Sequence, residues 1–159
     1  MTLRKGHPWS RIDEVFREPP ESTEQVLHPK KYLDRERPVA IVPGALPSLK
    51  AARELRRDVV GELEWKLLLS SKLSNGIAER AAEGWGGDRL VAYGQDEGPV
   101  HLVDLSAWDS EEDATQFEQA MRKWMARQTA QPERATEDLA VFLAGDEAWA
   151  TERDRKSVV

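Results

Sequence analysis

Histidine and carboxylate side chains are the groups in this chain that could bind a metal ion or transfer protons. The 159 residues include three histidines (His7, His28 and His101) and no cysteine. A zinc protease needs two histidines one helical turn apart, and no two histidines here have that spacing. Without cysteine there is no thiolate nucleophile, disulfide bond or Cys-ligated zinc. The sequence therefore predicts no metal site, no cofactor and no recognisable catalytic residue.

His28 nevertheless lies in an unusual string, "STEQVLHPKKY" (Ser22 to Tyr32). A histidine before a proline could ligate a metal ion or carry a proton. More often such a residue hydrogen-bonds the backbone at a turn, and no second ligand is spaced to assist it. We therefore interpret His28 as structural and keep it as one candidate residue of a functional surface.

The string "GWGGDR" (residues 84–89) is a glycine-rich segment that could cradle a phosphate. A dinucleotide-binding loop follows a strand and precedes a helix, whereas this string follows a predicted helix and precedes a predicted strand. We therefore interpret it as a tight turn whose glycines allow positive φ. In this interpretation Trp85 packs on a sheet, and Asp88 or Arg89 fastens the loop.

The segment that begins at Trp108 has an equally structural interpretation. Asp109 is predicted to cap a helix, with Glu112 completing a capping box. The acidic run "DSEED" could bind calcium, but it lacks the glycine and the ligand spacing of an EF-hand loop. No serine lies in a nucleophile-elbow context, and no carboxylate pair has the character of a glycosidase dyad. Tryptophans 65, 85, 108, 124 and 149 are predicted to share the core, although some could line a cleft.

Helical periodicity and capping signals predict the elements that would position these residues. Within the string that begins at Ser22 we expect one or two helical turns, anchored by Val26 and Leu27 and again by Tyr32 and Leu33. The other predicted helices are Trp9 to Arg17, Lys50 to Leu73, Ile77 to Glu83, and a long helix that starts at Asp109.

Alternating apolar residues predict the strands. "DRLVAYGQ" and "PVHLVDLSAW" form an antiparallel hairpin around "DEG", and "DLAVFLAGDEAWATERDRKSVV" reads as a second hairpin that turns at residues 144–147. Residues 39–42 would add an edge strand between prolines. The order predicts an α+β fold, an antiparallel sheet of two hairpins (β-β-α-β-β) packed by a long helix and preceded by a helix-rich N-terminal segment.

Charge is distributed unevenly along the chain. Residues 1–57 carry 12 Lys and Arg against 8 Asp and Glu, whereas residues 58–159 carry 11 against 21. We therefore divide the chain into a basic wrapping segment and an acidic body that together form one compact unit. An acidic body argues against a nucleic-acid partner, and no apolar run is long enough to span a membrane. The N-terminus lacks the apolar core of a signal peptide.

Three strings occur in the order "STEQVLHPKKY", "GWGGDR" and "WDSEEDATQF" (Trp108 to Phe117). Together they resemble the C-terminal region of bacterial and archaeal secreted or lipid-anchored proteins related to neutral zinc metallopeptidases. The resemblance extends from about Phe16 to the C-terminus. Longer members carry an upstream HExxH zinc motif, which this chain lacks. The resemblance therefore implies an accessory domain of an exported or cell-envelope protein, without peptidase activity; a cytoplasmic location is the alternative.

The leading hypothesis is a non-catalytic accessory domain that binds a protein partner through its sheet face or through a groove beside the long helices. Its oligomeric state is left open. The candidate surface residues are His28, Trp85, Asp88, Arg89, Trp108 and Asp109.

Two alternatives come from other functional classes. A small enzyme for glycan or acid–base chemistry would place Asp88, Asp104 or Asp109 in a cleft lined by tryptophan. An intracellular adaptor would instead bind an acidic partner through the basic N-terminal third, and its binding would be sensitive to salt.

Overall fold

A computed structural model describes residues 9–44, 46, 49–95, 98, 100–129 and 157–158. The chain divides into two compact units between Pro38 and Val39. This division lies closer to the N-terminus than the boundary at residue 57 that the charge distribution suggested. Residues 53–57 belong to the second unit because they pair with a strand of its sheet.

The N-terminal unit consists of three helices, α1 (Trp9–Arg17), α2 (Thr23–Leu27) and α3 (Pro29–Leu33). The predicted helix Trp9 to Arg17 is confirmed. The predicted cap of α2 is also confirmed, since the Ser22 side chain accepts a hydrogen bond from the backbone N–H of Gln25 (3.2 Å). The side-chain Oε1 of Gln25 in turn accepts from the backbone N–H of Glu21 (2.8 Å).

The side chains that α2 buries are polar. Glu24 and Gln25 are buried, whereas Val26 and Leu27 are exposed, so the prediction that these two apolar residues anchor the segment was wrong. The buried charge of Glu24 is compensated from the next helix, because the ammonium group of Lys31 on α3 pairs with it at 2.5 Å.

The second predicted anchor, Tyr32 with Leu33, is half right. Tyr32 is buried and its hydroxyl donates to the carbonyl oxygen of Glu18 (2.7 Å). Leu33 is exposed. A tyrosine can be buried in this way because its ring is apolar and its one polar atom has found a partner.

The second unit is an α+β domain with an antiparallel sheet of strand order β1-β2-β3-β4, which confirms the predicted fold class. Its elements are β1 (Arg53–Asp58), α4 (Gly61–Ser70), α5 (Asn75–Ala82), β2 (Trp85–Gly94), β3 (His101–Trp108), α6 (Glu111–Thr129) and β4 (Ser157–Val158).

The hairpin of β2 and β3 is confirmed, with Asp88 opposite Ser106 and Leu90 opposite Asp104. Most of the predicted second hairpin, including its turn at residues 144–147, lies outside the described residues. Its last two described residues, 157–158, form β4 against the end of β3.

Strand β1 corrects the prediction of one long helix from Lys50 to Leu73. All six residues of "RELRRD" are exposed, and the segment pairs with β2 from Arg53 opposite Gly94 to Asp58 opposite Leu90. Pairing with a distant strand overrides the helix propensity of Arg, Glu and Leu. The predicted edge strand at residues 39–42 does not form a strand, although the Val39 N–H donates to the Gly86 carbonyl oxygen (2.7 Å).

Helices α4, α5 and α6 enclose the core together with the adjoining ends of β2 and β3. Phe117 of α6 lies between two indoles, edge-on to Trp65 (5.0 Å between centroids) and stacked on Trp108 (4.4 Å). Trp85 is buried with them and Trp124 packs against the cluster, as predicted. Trp149 lies outside the described residues. In the part of the chain described here, no helix combines the length and apolar character needed to cross a bilayer.

Candidate functional site

The start of α4 is the point where the sheet and the helices are joined. The first N–H groups of a helix have no partner within the helix. No side chain of the N-cap residue Val60 satisfies them. Instead Asp88 of β2 reaches across, and its Oδ1 accepts from the Val60 N–H while its Oδ2 accepts from the Gly61 N–H, both at 2.7 Å.

Two tryptophan side chains complete this arrangement. The indole Nε1–H groups of Trp65 (3.0 Å) and Trp85 (2.8 Å) both donate to Oδ2 of Asp88. We call Asp88, Val60, Gly61, Trp65 and Trp85 the Asp88 cluster. The Asp88 side chain is buried, and a buried carboxylate is tolerated only where hydrogen bonds replace its water. Four N–H donors do so here.

The hydrogen bonds define what Asp88 can do chemically. Oδ2 accepts three hydrogen bonds and Oδ1 accepts one, all from donors within the fold. A general base needs a lone pair that points at a substrate proton. The cluster is therefore a structural junction that joins strand β2 to the beginning of α4.

The glycines beside Asp88 permit this junction, although not as a tight turn. Strand β2 already begins at Trp85, with a bulge between Trp85 and Gly87. Gly84 has the predicted positive φ (+80°), and a Cβ there would lie 2.6 Å from Cγ of Asp113. A Cβ at Gly87 would lie 2.4 Å from the Val39 carbonyl oxygen, so glycine allows the backbones to approach.

Asp104 of β3 lies near Asp88 on the same face of the sheet. It stands opposite Leu90, two residues from the Asp88–Ser106 pair. Its Oδ1 is buried and accepts no hydrogen bond. Burial, and to a smaller extent the negative charge of Asp88, together raise the pKa of Asp104 to about 8. The Asp104 carboxyl is therefore protonated at neutral pH.

Trp108 and Asp109 follow β3 into the core and the next helix. Trp108 is buried, and its Nε1–H donates to Oγ of Ser106 (3.1 Å). The backbone N–H of Asp109 donates to the Gly84 carbonyl oxygen (2.7 Å). Asp109 is not the helix cap that was predicted. The cap lies one residue later, where Oγ of Ser110 accepts from the backbone N–H of Asp113 (3.2 Å), and helix α6 begins at Glu111.

The other two candidate residues lie elsewhere. Arg89 follows Asp88 on β2 and therefore points to the opposite face of the sheet, where its Nε–H donates to the Ile41 carbonyl oxygen (3.4 Å). His28 lies in the N-terminal unit between α2 and α3, and its backbone N–H donates to the Glu24 carbonyl oxygen (2.7 Å). Of the six predicted residues, Trp85 and Asp88 share a side-chain hydrogen bond, and Trp85 lies opposite Trp108 where β2 pairs with β3.

Sequence reasoning missed the role of Val60, Gly61 and Trp65 as donors to Asp88. Their own strings carry no signal of it, because Asp88 is more than twenty residues away in the chain. Asp104 did carry a signal, since it is the one acidic residue within the apolar run "HLVDLSAW". That position was named only as part of the enzyme alternative.

Fold and cluster together define an α+β domain in which a buried aspartate joins a sheet to a tryptophan-rich helical layer. Residues 49–159, well over half of the chain, match the family model described as "Domain of unknown function (DUF8575)". The chain belongs to this family. No curated protein and no solved structure matches the sequence.

Proposed function

We propose that this chain is a non-catalytic accessory domain that binds another protein, in the manner of the C-terminal part of the metallopeptidase-like proteins that it resembles. The Asp88 cluster is the observation that carries the proposal. Asp88 lies in the string most suggestive of a reactive loop, yet its two oxygens are occupied by four N–H donors of the fold. Such a junction holds strand β2 and helix α4 in a fixed arrangement, which suits a rigid binding surface better than a reactive site.

An apolar patch at the hairpin end of the sheet offers a surface for a partner. We define the hairpin-end patch as Leu55, Val100 and Leu102, all of which are exposed. A Cβ at Gly94 would lie 2.7 Å from Leu55 and 3.8 Å from Val100, so these two side chains lie beside the same residue of β2. Clustered exposed apolar side chains mark protein-interaction sites more often than isolated ones do.

The test is calorimetric titration of the chain with the separately produced HExxH region of a longer relative. We expect saturable binding that Leu102→Ser weakens about tenfold, the effect of losing one buried apolar contact. Leu67→Ser is the matched control, because Leu67 on α4 is 59% exposed and Leu102 is 60% exposed. Absence of binding, an equal effect of both variants, or peptide turnover with stoichiometric zinc would each contradict the proposal.

One observation favours acid–base catalysis as a second candidate function. Burial keeps the Asp104 carboxyl protonated at neutral pH beside a second acidic side chain, Asp88, and enzymes obtain a general acid from such an environment. Against it, Trp85 and Trp108 are buried and leave no indole face for a substrate. Release of reducing sugar from soluble glycans, lost in Asp104→Asn and kept in Asp58→Asn, would support this candidate. No release by the unaltered chain would exclude that activity.

A further inference from the structure

The N-terminal unit contains a cavity of about 560 Å³, and none of its lining residues belongs to the Asp88 cluster or to the hairpin-end patch. It is built largely by the string that follows Pro19. Its lining residues are Glu18, Pro19, Pro20, Glu21, Gln25, Tyr32, Arg35 and Arg37. This volume is in the range of sites that hold small ligands, which is about 300–1,000 Å³.

The wall formed by Gln25 and Tyr32 is fixed before any ligand arrives. Both residues are buried. The Gln25 amide accepts from the Glu21 N–H (2.8 Å) and donates to the Glu36 carbonyl oxygen (2.5 Å), and the Tyr32 hydroxyl donates to the Glu18 carbonyl oxygen (2.7 Å). A ligand would therefore not have to order these side chains, which lowers the cost of binding.

Two acidic and two basic side chains belong to the same lining. Arg35 pairs with Glu18, and Arg37 pairs with Glu21 at 3.3 Å. We call Arg35 and Arg37 the arginine pair, and Glu18 and Glu21 the glutamate pair. All four side chains are exposed, and ion pairs of this kind contribute only about 0–1 kcal/mol each. A ligand that carries both charges gives the arginine pair and the glutamate pair each a group of opposite charge.

The backbone of Arg35 is the second observation that points to a ligand. Its φ is +57°, and it is the only positive φ of a non-glycine residue among those described. Arg35 follows α3 at the position where helices usually end on glycine, because other residues are strained there. Its guanidinium lies 5.7 Å from the Tyr32 ring centroid. The unfavourable backbone conformation thus places a guanidinium group at the cavity.

We propose that this cavity binds short peptides through their free ends, with the carboxylate on the arginine pair and the ammonium group on the glutamate pair. The apolar middle of the peptide would pack against Pro19 and Pro20. The charges of the lining favour such a zwitterion over a simple anion. An anion would pair with the two arginines and leave the two glutamates without a positive partner. This proposal goes beyond the accessory function and does not depend on it.

The experiment is an NMR titration of the full chain with a mixture of tripeptides Xaa-Pro-Xaa, followed at the Gln25 side-chain amide and the Tyr32 ring. The free-ended mixture should give saturable shifts at millimolar concentration. The same mixture with acetylated amino ends and amidated carboxyl ends should give none. Equal shifts from both mixtures, shifts from neither, or equivalent shifts from inorganic phosphate alone would overturn the proposal.

Arg35→Gly separates binding from folding. Glycine relieves the backbone strain, so this variant should unfold at a higher temperature while its affinity for the free-ended mixture falls about tenfold. Lys30→Ala is the control. Lys30 lies on α3 and pairs with Asp34, the residue after that helix, and it does not line the cavity. Arg35→Gly with unchanged affinity, or an equal loss in Lys30→Ala, would show that the arginine pair does not hold the ligand.

Discussion

Replacing Asp104 by asparagine should remove a pH dependence of stability that this one carboxyl imposes on the fold. Its ordinary pKa is 3.8, and burial next to Asp88 raises it to about 8 in the folded protein. Between these two values the folded state holds a proton that the unfolded state has released. The contribution of Asp104 to stability is therefore greatest below about pH 4 and is lost as the pH rises to about 8.

The size of this effect follows from the interval between the two pKa values. Each pH unit within it changes the free energy of unfolding by about 1.4 kcal/mol, which amounts to about 6 kcal/mol over the whole window. Asparagine keeps the shape and cannot ionise. We therefore expect Asp104→Asn to be more stable than the unaltered chain at about pH 9, by several kcal/mol, and to show little of this slope.

The measurement is urea unfolding followed by tryptophan fluorescence, repeated between about pH 5 and about pH 9. Asp58→Asn is the matched control, because Asp58 stands on the other side of Leu90 in the same row of the sheet. Asp58 is exposed, and its pKa is lowered by the Val59 N–H and by Arg56. Parallel stability curves for the unaltered chain and Asp104→Asn would refute the assignment of the buried proton to Asp104.

Three further substitutions test the junctions of the second unit by the same unfolding measurement. Asp88→Asn should lower the free energy of unfolding by about 3 kcal/mol or more, because the asparagine NH₂ group would face N–H donors that now bind a carboxylate oxygen. A loss below about 1 kcal/mol would contradict the role of the Asp88 cluster. Gly84→Ala should lower the free energy of unfolding by about 1–3 kcal/mol, because the φ of +80° is strained for alanine and the new Cβ would clash with Asp113. An unchanged urea midpoint would contradict this. Ser110→Ala should cost about 1 kcal/mol through loss of the α6 cap, whereas no loss would place the cap elsewhere.

Elements whose signals are local could be predicted from the sequence. The helix Trp9–Arg17 follows from apolar spacing, and the start of α2 follows from the Ser22 hydroxyl and the Gln25 amide. The hairpin of β2 and β3 follows from two alternating runs around "DEG". In each case the residues that determine the structure lie within a few positions of one another, so their interactions are already present in the string.

The candidate site was only half visible in the sequence. Trp85 and Asp88 were both named from "GWGGDR", and they share a hydrogen bond. The sequence could not show that Trp65 and the N–H groups of Val60 and Gly61 donate to Asp88. No residue pattern in their own segment indicates a partner more than twenty residues away. The residue chosen as the helix cap, Asp109, was one position too early because Ser110 was equally suited to the role.

The amino-acid sequence alone therefore determined the fold class, the hairpin of β2 and β3, helix α1 and the capped start of α2, since short-range periodicity and capping chemistry specify them. The tertiary structure alone decided that "RELRRD" is a strand, because its charged residues have no strand periodicity and only pairing with β2 orders them. It also decided the protonation of Asp104, because the pKa of a carboxyl depends on how much water and which charges surround it, and both are set by distant residues.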